Sequence, residues 1–305
     1  MHSSLFHRSR TAVVAVHAAA MLVAAAGGGA AAAPALPTAW TDGGSSTREA
    51  RREAVELLPL ARMPAASRKA VERTLHAATL YRRLPVQTFA CDAALLDFAL
   101  IHPEAIVDVW RVLGISRLTL DPAGPAQWRL SDGYGTVGAL RLLHHERLGR
   151  GGLFVYHGRG GYSGSLAPKP LSGSCLILVH HEPHPAADGT ERQSVRIDAF
   201  LDVDGMGLEL VARTLQPLIV RSAAANLEEI CIFMETLSAA AARNPAGIER
   251  LIARLPRTDP ADRATFARLA RAAGNAAVRD DDPAVVQAEL AARWLPADDI
   301  DARTR

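Results

Sequence analysis

Residues Gln193–Asn244 read QSVRIDAFLDVDGMGLELVARTLQPLIVRSAAANLEEICIFMETLSAAAARN, and the rest of the chain is best arranged around them. In the first part Val195, Ile197, Ala199, Leu201 and Val203 alternate with Arg196, Asp198, Asp202 and Asp204, Phe200 being the exception. Period-two alternation marks a strand with one face on a core and the other towards water. Gly205 and Gly207 break the pattern. From there a step of about 100° per residue gathers Leu227, Ile230, Cys231, Phe233, Met234 and Leu237 into one stripe. Glu228, Glu229, Glu235 and Thr236 take the opposite side, as in an amphipathic helix laid on an apolar surface. Pro217 inside the periodic region is expected to kink it or split it in two.

Upstream, Ser46 followed by Glu49 reads as a capping box, opening a helix to about Leu58. Pro59 and Pro64 interrupt. A second helix with Val71, Leu75 and Ala78 on one face leads to Tyr81, and the pair is expected to pack outside the main domain. From Leu84 the grammar changes. VQTFACD is a short strand, AALLDFALI a helix, and HPEAIVDVWRVLG a second helix with Pro103 and Glu104 in its first turn. Strand candidates come next: ISRLTLD and QWRLSD about a turn at Pro122–Pro125, then TVGALRLLHHER, LFVYHG, SCLILVHH and QSVRIDAFLDVD. Downstream, Ile248, Leu251, Ile252 and Leu255 keep helical spacing, and Asp259-Pro260 and Asp282-Pro283 each pair a cap with Pro at the first helical position.

The 305 residues, 49% apolar and 22% charged, are enough for a substantial core. MHSSLFHRSR supplies a basic start, Thr11–Ala26 an apolar segment and Ala31–Ala33 a small-residue cleavage site, so residues 1–33 are expected to be a secretory signal. No Cys comes directly after it to take a lipid, Arg8 and Arg10 are not adjacent as in a twin-arginine signal, and the apolar segment is short for a full span. The expected location is therefore periplasmic or extracellular. Residues 1–33 carry two Arg and no acid, so cleavage takes the formal charge from +2 to 0. A neutral chain without basic runs is a poor partner for nucleic acid. Residues 34–45 read as a linker, 46–83 as N-terminal helices, 84–244 as the main domain and 245–305 as a helical extension.

Strand, two helices, six strands and a long helix is the order of the helix-grip superfamily. The chain resembles that group (START-like, SRPBCC-type, with lipid-transfer domains, pathogenesis-related proteins and polyketide cyclases) over about Leu84–Asn244. The likeness rests on element order and on the Asp-rich, Gly-marked passage LDVDGMGLEL from the last strand into the helix. It departs from familiar members in its signal peptide and in its helices on both sides. The resemblance implies an α+β fold, an antiparallel sheet of about seven strands wrapped around a long C-terminal helix. It also implies a cavity between them for a hydrophobic small molecule or lipid. On this arrangement Trp128, Leu140, Leu142, His144, Tyr156, Ile230, Phe233, Met234 and Leu237 are the expected ligand-facing residues. The competing expectation is that side chains simply fill the space. No cofactor is expected, and protein partners are left open.

Of the eight histidines beyond residue 33, six lie between His144 and His184. Two HHE triplets, His144–Glu146 and His180–Glu182, end strand candidates. Adjacent strand residues point to opposite faces, so each pair offers one side chain to a common site. HHEPH is not HExxH, and Pro183 excludes the helix that motif needs. The histidines are thus metal ligands, pocket lining or solvated strand ends, and no metal site is assigned. With Arg141 facing water, Leu140, Leu142 and His144 are expected inside and His145 outside. The stretch HGRGGYSGSLAPKPLSGS ends neither as a P-loop nor as a nucleophile elbow, and reads as a loop at the cavity mouth with Tyr162 as part of a gate. Asp198, Asp202 and Asp204 read as solvated charge. Cys91, Cys175 and Cys231 are odd in number, show no zinc or redox spacing, and read as small buried residues. The leading expectation is a non-enzymatic binder. The alternatives are a cyclase- or hydrolase-like enzyme with His144 or His157 as acid–base, and a structural module of a cell-envelope complex.

Overall fold

The computed structural model describes residues 44–163, 170–186, 191–204, 208–273, 287 and 290–295. The expected signal, the Gly205–Gly207 turn, most of the Gly- and Pro-rich loop after Ser163 and the Asp282-Pro283 start lie outside the described residues. Helix α1 spans Arg48–Glu56, and its cap is Thr47, whose hydroxyl accepts from the Ala50 amide at 3.2 Å; the capping residue is thus one place later than the Ser46 expected. Helix α2 spans Ala65–Ala77 and stops there. The segment Leu80–Arg83 beyond it, expected to continue the helix, is strand β1.

Strand β2, Gln87–Ala90, leads into α3, Ala93–Ile101, capped by Asp92 accepting from the Leu95 amide at 2.8 Å. Helix α4, Pro103–Leu113, begins on its proline and ends on Gly114 at φ 74°, the left-handed conformation that glycine adopts without a Cβ penalty. The sheet then runs through β3 (Thr119–Gly124), β4 (Gln127–Ser131), β5 (Thr136–Leu148), β6 (Gly151–Tyr162), β7 (Leu171–Pro185) and β8 (Glu191–Val203). Pro122 lies within β3, not in the turn; β3 is an edge strand, where a missing amide donor is tolerated. Helices α5 (Leu208–Arg243), α6 (Pro245–Ala253) and α7 (Pro260–Ala273) complete the described elements. Helix α5 is continuous past Pro217, so the split expected there does not occur.

The sheet is antiparallel, in the order β1, β8, β7, β6, β5, β4, β3. Strands β1 and β2 share one edge position: β1 pairs with Asp198–Leu201 of β8, and β2 with Arg192–Val195. The result is the expected α+β architecture, a seven-position antiparallel sheet with N-terminal helices and a long C-terminal helix packed against it.

Both faces of the central strands are buried. On one face Phe154, Tyr156, Ile177, Val179, Val195, Ile197 and Leu201 join a core with α3, α4, α5 and the C-terminal helices. On the other, Leu153, Val155, Leu176, Leu178 and Phe200 join a second core with Ala50, Ala54, Leu58 and Val71 of the α1–α2 layer. This explains the one break in the alternation of β8. Phe200 is fully buried beneath α1 and α2, with its ring 5.0 Å from that of Tyr81. Two covered faces also account for the unbroken apolar runs LFVY and CLILV.

Candidate functional site

The long helix meets the sheet through a stripe that divides in two. Leu227, Ile230, Cys231 and Met234, at steps of three and four, face a cavity of about 150 Å³. Phe233 turns instead towards α4 and the C-terminal flank, and Leu237 is fully buried in the same core without lining the cavity. The Phe233 ring packs edge-on to Trp110 at 5.6 Å and lies 5.7 Å from Trp294. The extra width of the apolar stripe is therefore used by neighbouring helices, not by a wider cavity.

Opposite the helix, Leu140, Tyr156, Ile177, Val179, Val195 and Ile197 form the sheet wall. Leu96 and Leu100 of α3 and Ile106, Val107 and Trp110 of α4 close the side. A chamber of about 30 Å³ adjoins it, sharing Ile177, Ile197, Leu227 and Ile230 and reaching Arg82 and Asn226. Polar atoms are few in the main wall. The Tyr156 hydroxyl donates to the Leu100 carbonyl, and complete burial pushes its phenol above the usual range. Burial likewise pushes the Cys231 thiol up, with further contributions from Cys91, Glu228 and Glu235, so it stays neutral. Cys175, also buried, is pushed up to about 12. None of the three cysteines forms a disulfide.

Of the residues expected to face a ligand, Leu140, Tyr156, Ile230 and Met234 meet at this cavity. Trp128 is buried in the same core, paired with Leu140 across the sheet, but does not line the cavity. Leu142 is half-buried at its margin. His144 is on the opposite face. A β-bulge at Leu143 adds one residue to β5, so Leu142 pairs with Tyr156 while His144 pairs with Val155. The extra residue reverses the parity of the rest of the strand: Leu143 enters the outer core, His144 lies 3.3 Å from Glu146, and the exposed His145 stacks on Phe154 at 6.0 Å. The expectation of His144 inside and His145 outside is thus corrected.

The other polar candidates also move. Asp198 is not solvated: it is buried, accepting from the Tyr81 hydroxyl at 2.6 Å and from Arg83 at 2.8 Å. Asp204 accepts from Arg159 at 2.8 Å and from Ser172 at 2.7 Å. Tyr162 is buried as the last residue of β6, and most of the loop it was expected to gate lies outside the described residues. His157 and His180 lie on the outer face. Burial holds both below the usual histidine range, with Arg141, Arg159 and Arg73 acting on His157 and Arg196 on His180.

The buried polar centre that the spacing argument missed is Asp97–His181. His181 is fully buried, with Nε2 2.8 Å from Asp97 Oδ1 and Nδ1 3.2 Å from Gln193 Oε1. Arg147 donates to the second Asp97 oxygen at 2.9 Å. Burial opposes ionisation of Asp97, but hydrogen bonds from His181 and Arg147 outweigh it and hold the carboxyl below its usual range. A Cβ on Gly152 would come within 3.0 Å of His181 Nε2 and 2.8 Å of the Phe154 ring, so glycine is what lets β6 pass so close. The available signal was Asp97 itself, the one charge in the apolar helix AALLDFALI.

No protein-family model matches the chain, and no curated protein matches it either. Among solved structures it is similar to an uncharacterised protein from Rhizobium leguminosarum, at 14% identity over 49% of this chain and 95% of that one, with a TM-score of 0.27. It is also similar to the Mll3558 protein from Rhizobium loti, at 20% identity over 48% of this chain and 97% of that one, with a TM-score of 0.26. Likenesses this distant carry no argument about function. Among the described residues, no helix is long and apolar enough to cross a membrane.

Proposed function

We propose that this protein is an exported carrier of a small hydrophobic molecule, built on a fold of the helix-grip type. The observation that carries the reading is the cavity of about 150 Å³ between α5, α3–α4 and the sheet, walled almost wholly by aliphatic and aromatic groups. Protein interiors are normally close-packed, and an apolar void of this size stays dry and accepts a guest about as large as benzene. Drug-sized ligands occupy pockets of roughly 300–1,000 Å³. The guest is accordingly a compact apolar molecule, or the end of a longer chain for which α5 shifts outward. The basic, apolar and small-residue segments of residues 1–33 support export, and a mature chain beginning near Pro34 is the corresponding observation by N-terminal sequencing.

The test uses the purified mature protein. Organic extraction and then mass spectrometry look for a co-purified apolar molecule, and toluene and a fluorescent fatty acid are titrated in separately. The reading expects a guest or saturable uptake, and its loss in Ala99→Leu, which fills the cavity from α3. No guest and no uptake of either probe would overturn it. The enzyme reading gains nothing from the geometry. His144 and His157 lie on the far face, and both ring nitrogens of His181 are already engaged by Asp97 and Gln193, which leaves none to take a substrate proton.

A further inference from the structure

Three side chains that the carrier reading does not use meet where α3 passes into α4 and α7 begins. His102 is the junction residue of α3 and α4, Glu104 lies in the first turn of α4, and Asp262 lies in the first turn of α7. His102 Nδ1 is 3.4 Å from Glu104 Oε1 and 3.4 Å from Asp262 Oδ2. Each of the three residues has a donor atom within 4.8 Å of those of the other two. The Glu104 side chain is only 9% exposed, and its second oxygen, Oε2, is buried with no hydrogen-bond partner. A native protein rarely leaves a buried carboxylate oxygen in that condition without an ion or water to satisfy it.

We propose that His102, Glu104 and Asp262 form a binding site for one divalent transition-metal ion of the zinc type, with a fourth position open to solvent. Three donor residues converge, and their spacing suits a bound ion. Zinc–nitrogen and zinc–oxygen bonds of about 2.0–2.2 Å at the tetrahedral angle place neighbouring ligand atoms about 3.3–3.5 Å apart. A histidine joined directly to a carboxylate stands closer, about 2.7–2.9 Å. The Asp97–His181 contact is 2.8 Å, and the two contacts around His102 are 3.4 Å; His144–Glu146 stands at a similar 3.3 Å with a single carboxylate, so it is the convergence of two carboxylates on one ring nitrogen that sets His102 apart.

The donor set of one imidazole and two carboxylates suits zinc, whereas calcium and magnesium take six or more oxygens or keep several waters. The ring plane of His102 is fixed by stacking on Phe98 at 4.8 Å. His102 and Asp262 are 28% and 27% exposed, which gives an ion a path in and leaves room for a bound water. Bound metal would join the first turn of α4, whose Pro103 lines the cavity, to the C-terminal flank.

The experiment takes the mature chain, strips it with a chelator, and titrates it with zinc chloride by calorimetry, with metal content read by mass spectrometry after dialysis. One equivalent per chain is expected, with a rise in Tm on loading. His102→Ala should abolish stoichiometric binding, and Glu104→Gln should weaken it at least tenfold. His184→Ala, which removes an exposed histidine of the HHEPH segment, should leave it unchanged. Asp262→Asn is at the rim, so it keeps the test decisive if the Glu104 variant fails to fold. No stoichiometric uptake, or uptake unaltered in Asp262→Asn, would overturn the proposal. Either result is independent of whether a guest is found in the apolar cavity.

Discussion

The two faces of the sheet are made of similar residues and end differently. On the outer face Leu153, Val155, Leu176, Leu178 and Phe200 meet α1 and α2, and a buried charge, Asp198, is held by Tyr81 and Arg83. On the inner face Tyr156, Ile177, Val179, Val195 and Ile197 meet three helices yet leave about 150 Å³ unfilled. A short pair of amphipathic helices can settle onto a sheet until contact is complete. The inner helices are braced against one another and against α6 and α7, so they cannot close on the sheet. Trp110 and Phe233 hold α4 against α5, and Asp108 of α4 accepts from the Arg257 and Thr258 amides at 2.8 and 3.0 Å. Lateral bracing keeps the space open.

The largest effect expected from this contrast is at Phe200. It is fully buried in the outer layer, and large-to-small changes at such a site leave a cavity the surroundings only partly refill. Phe200→Ala should cost about 3–5 kcal/mol. Urea unfolding of the mature chain measures it, and a loss under about 1 kcal/mol would show that α1 and α2 are loosely docked.

A matched pair of substitutions tests the contrast more sharply. Val155 and Val179 lie on neighbouring strands and face opposite ways, Val155 into the outer core and Val179 into the cavity wall. Val155→Leu adds a methylene in the fully buried outer core and should destabilise by about 1–3 kcal/mol. Val179→Leu adds the same group beside a void and should cost at least about 1 kcal/mol less, while reducing uptake of toluene. Equal costs in the two variants would mean that the inner face is as full as the outer.

Much of this arrangement is legible in the sequence where structure is local. The alternation from Val195 to Val203 gave β8 its inner face, and the 227–234 spacing gave α5 the side that lines the cavity. The reading fails where one residue or one distant partner decides. Leu143 inserts a bulge with no glycine or proline to mark it, and the parity of His144 and His145 reverses. Leu80–Arg83 carries no strand signal of its own and is a strand because β8 offers an open edge. Phe233 belongs to the same stripe as Met234, and only the position of Trp110 and Trp294 takes it away from the cavity. Asp97 and His181 are 84 residues apart, and nothing local pairs them.

The smallest effect is expected at that pair, and it is a matter of pH. Asp97 has its carboxyl held below the usual range in the folded protein by hydrogen bonds from His181 and Arg147, against the opposing effect of burial. A group whose folded pKa is depressed contributes stability that is fully present above its unfolded pKa, near 3.9 in general. That contribution is lost as pH falls through the folded value. Unfolding free energy should therefore decline on the acid side of about pH 4–5, and Asp97→Asn should flatten part of that decline. The outer face offers a control, because Asp198→Asn removes a carboxylate held by Tyr81 and Arg83 without touching His181. Urea unfolding between pH 3 and 7 on the three proteins separates the contributions. An acid limb unaltered by Asp97→Asn would show that the inner pair is held by packing of His181 against Phe154 and Gly152, and not by its charge.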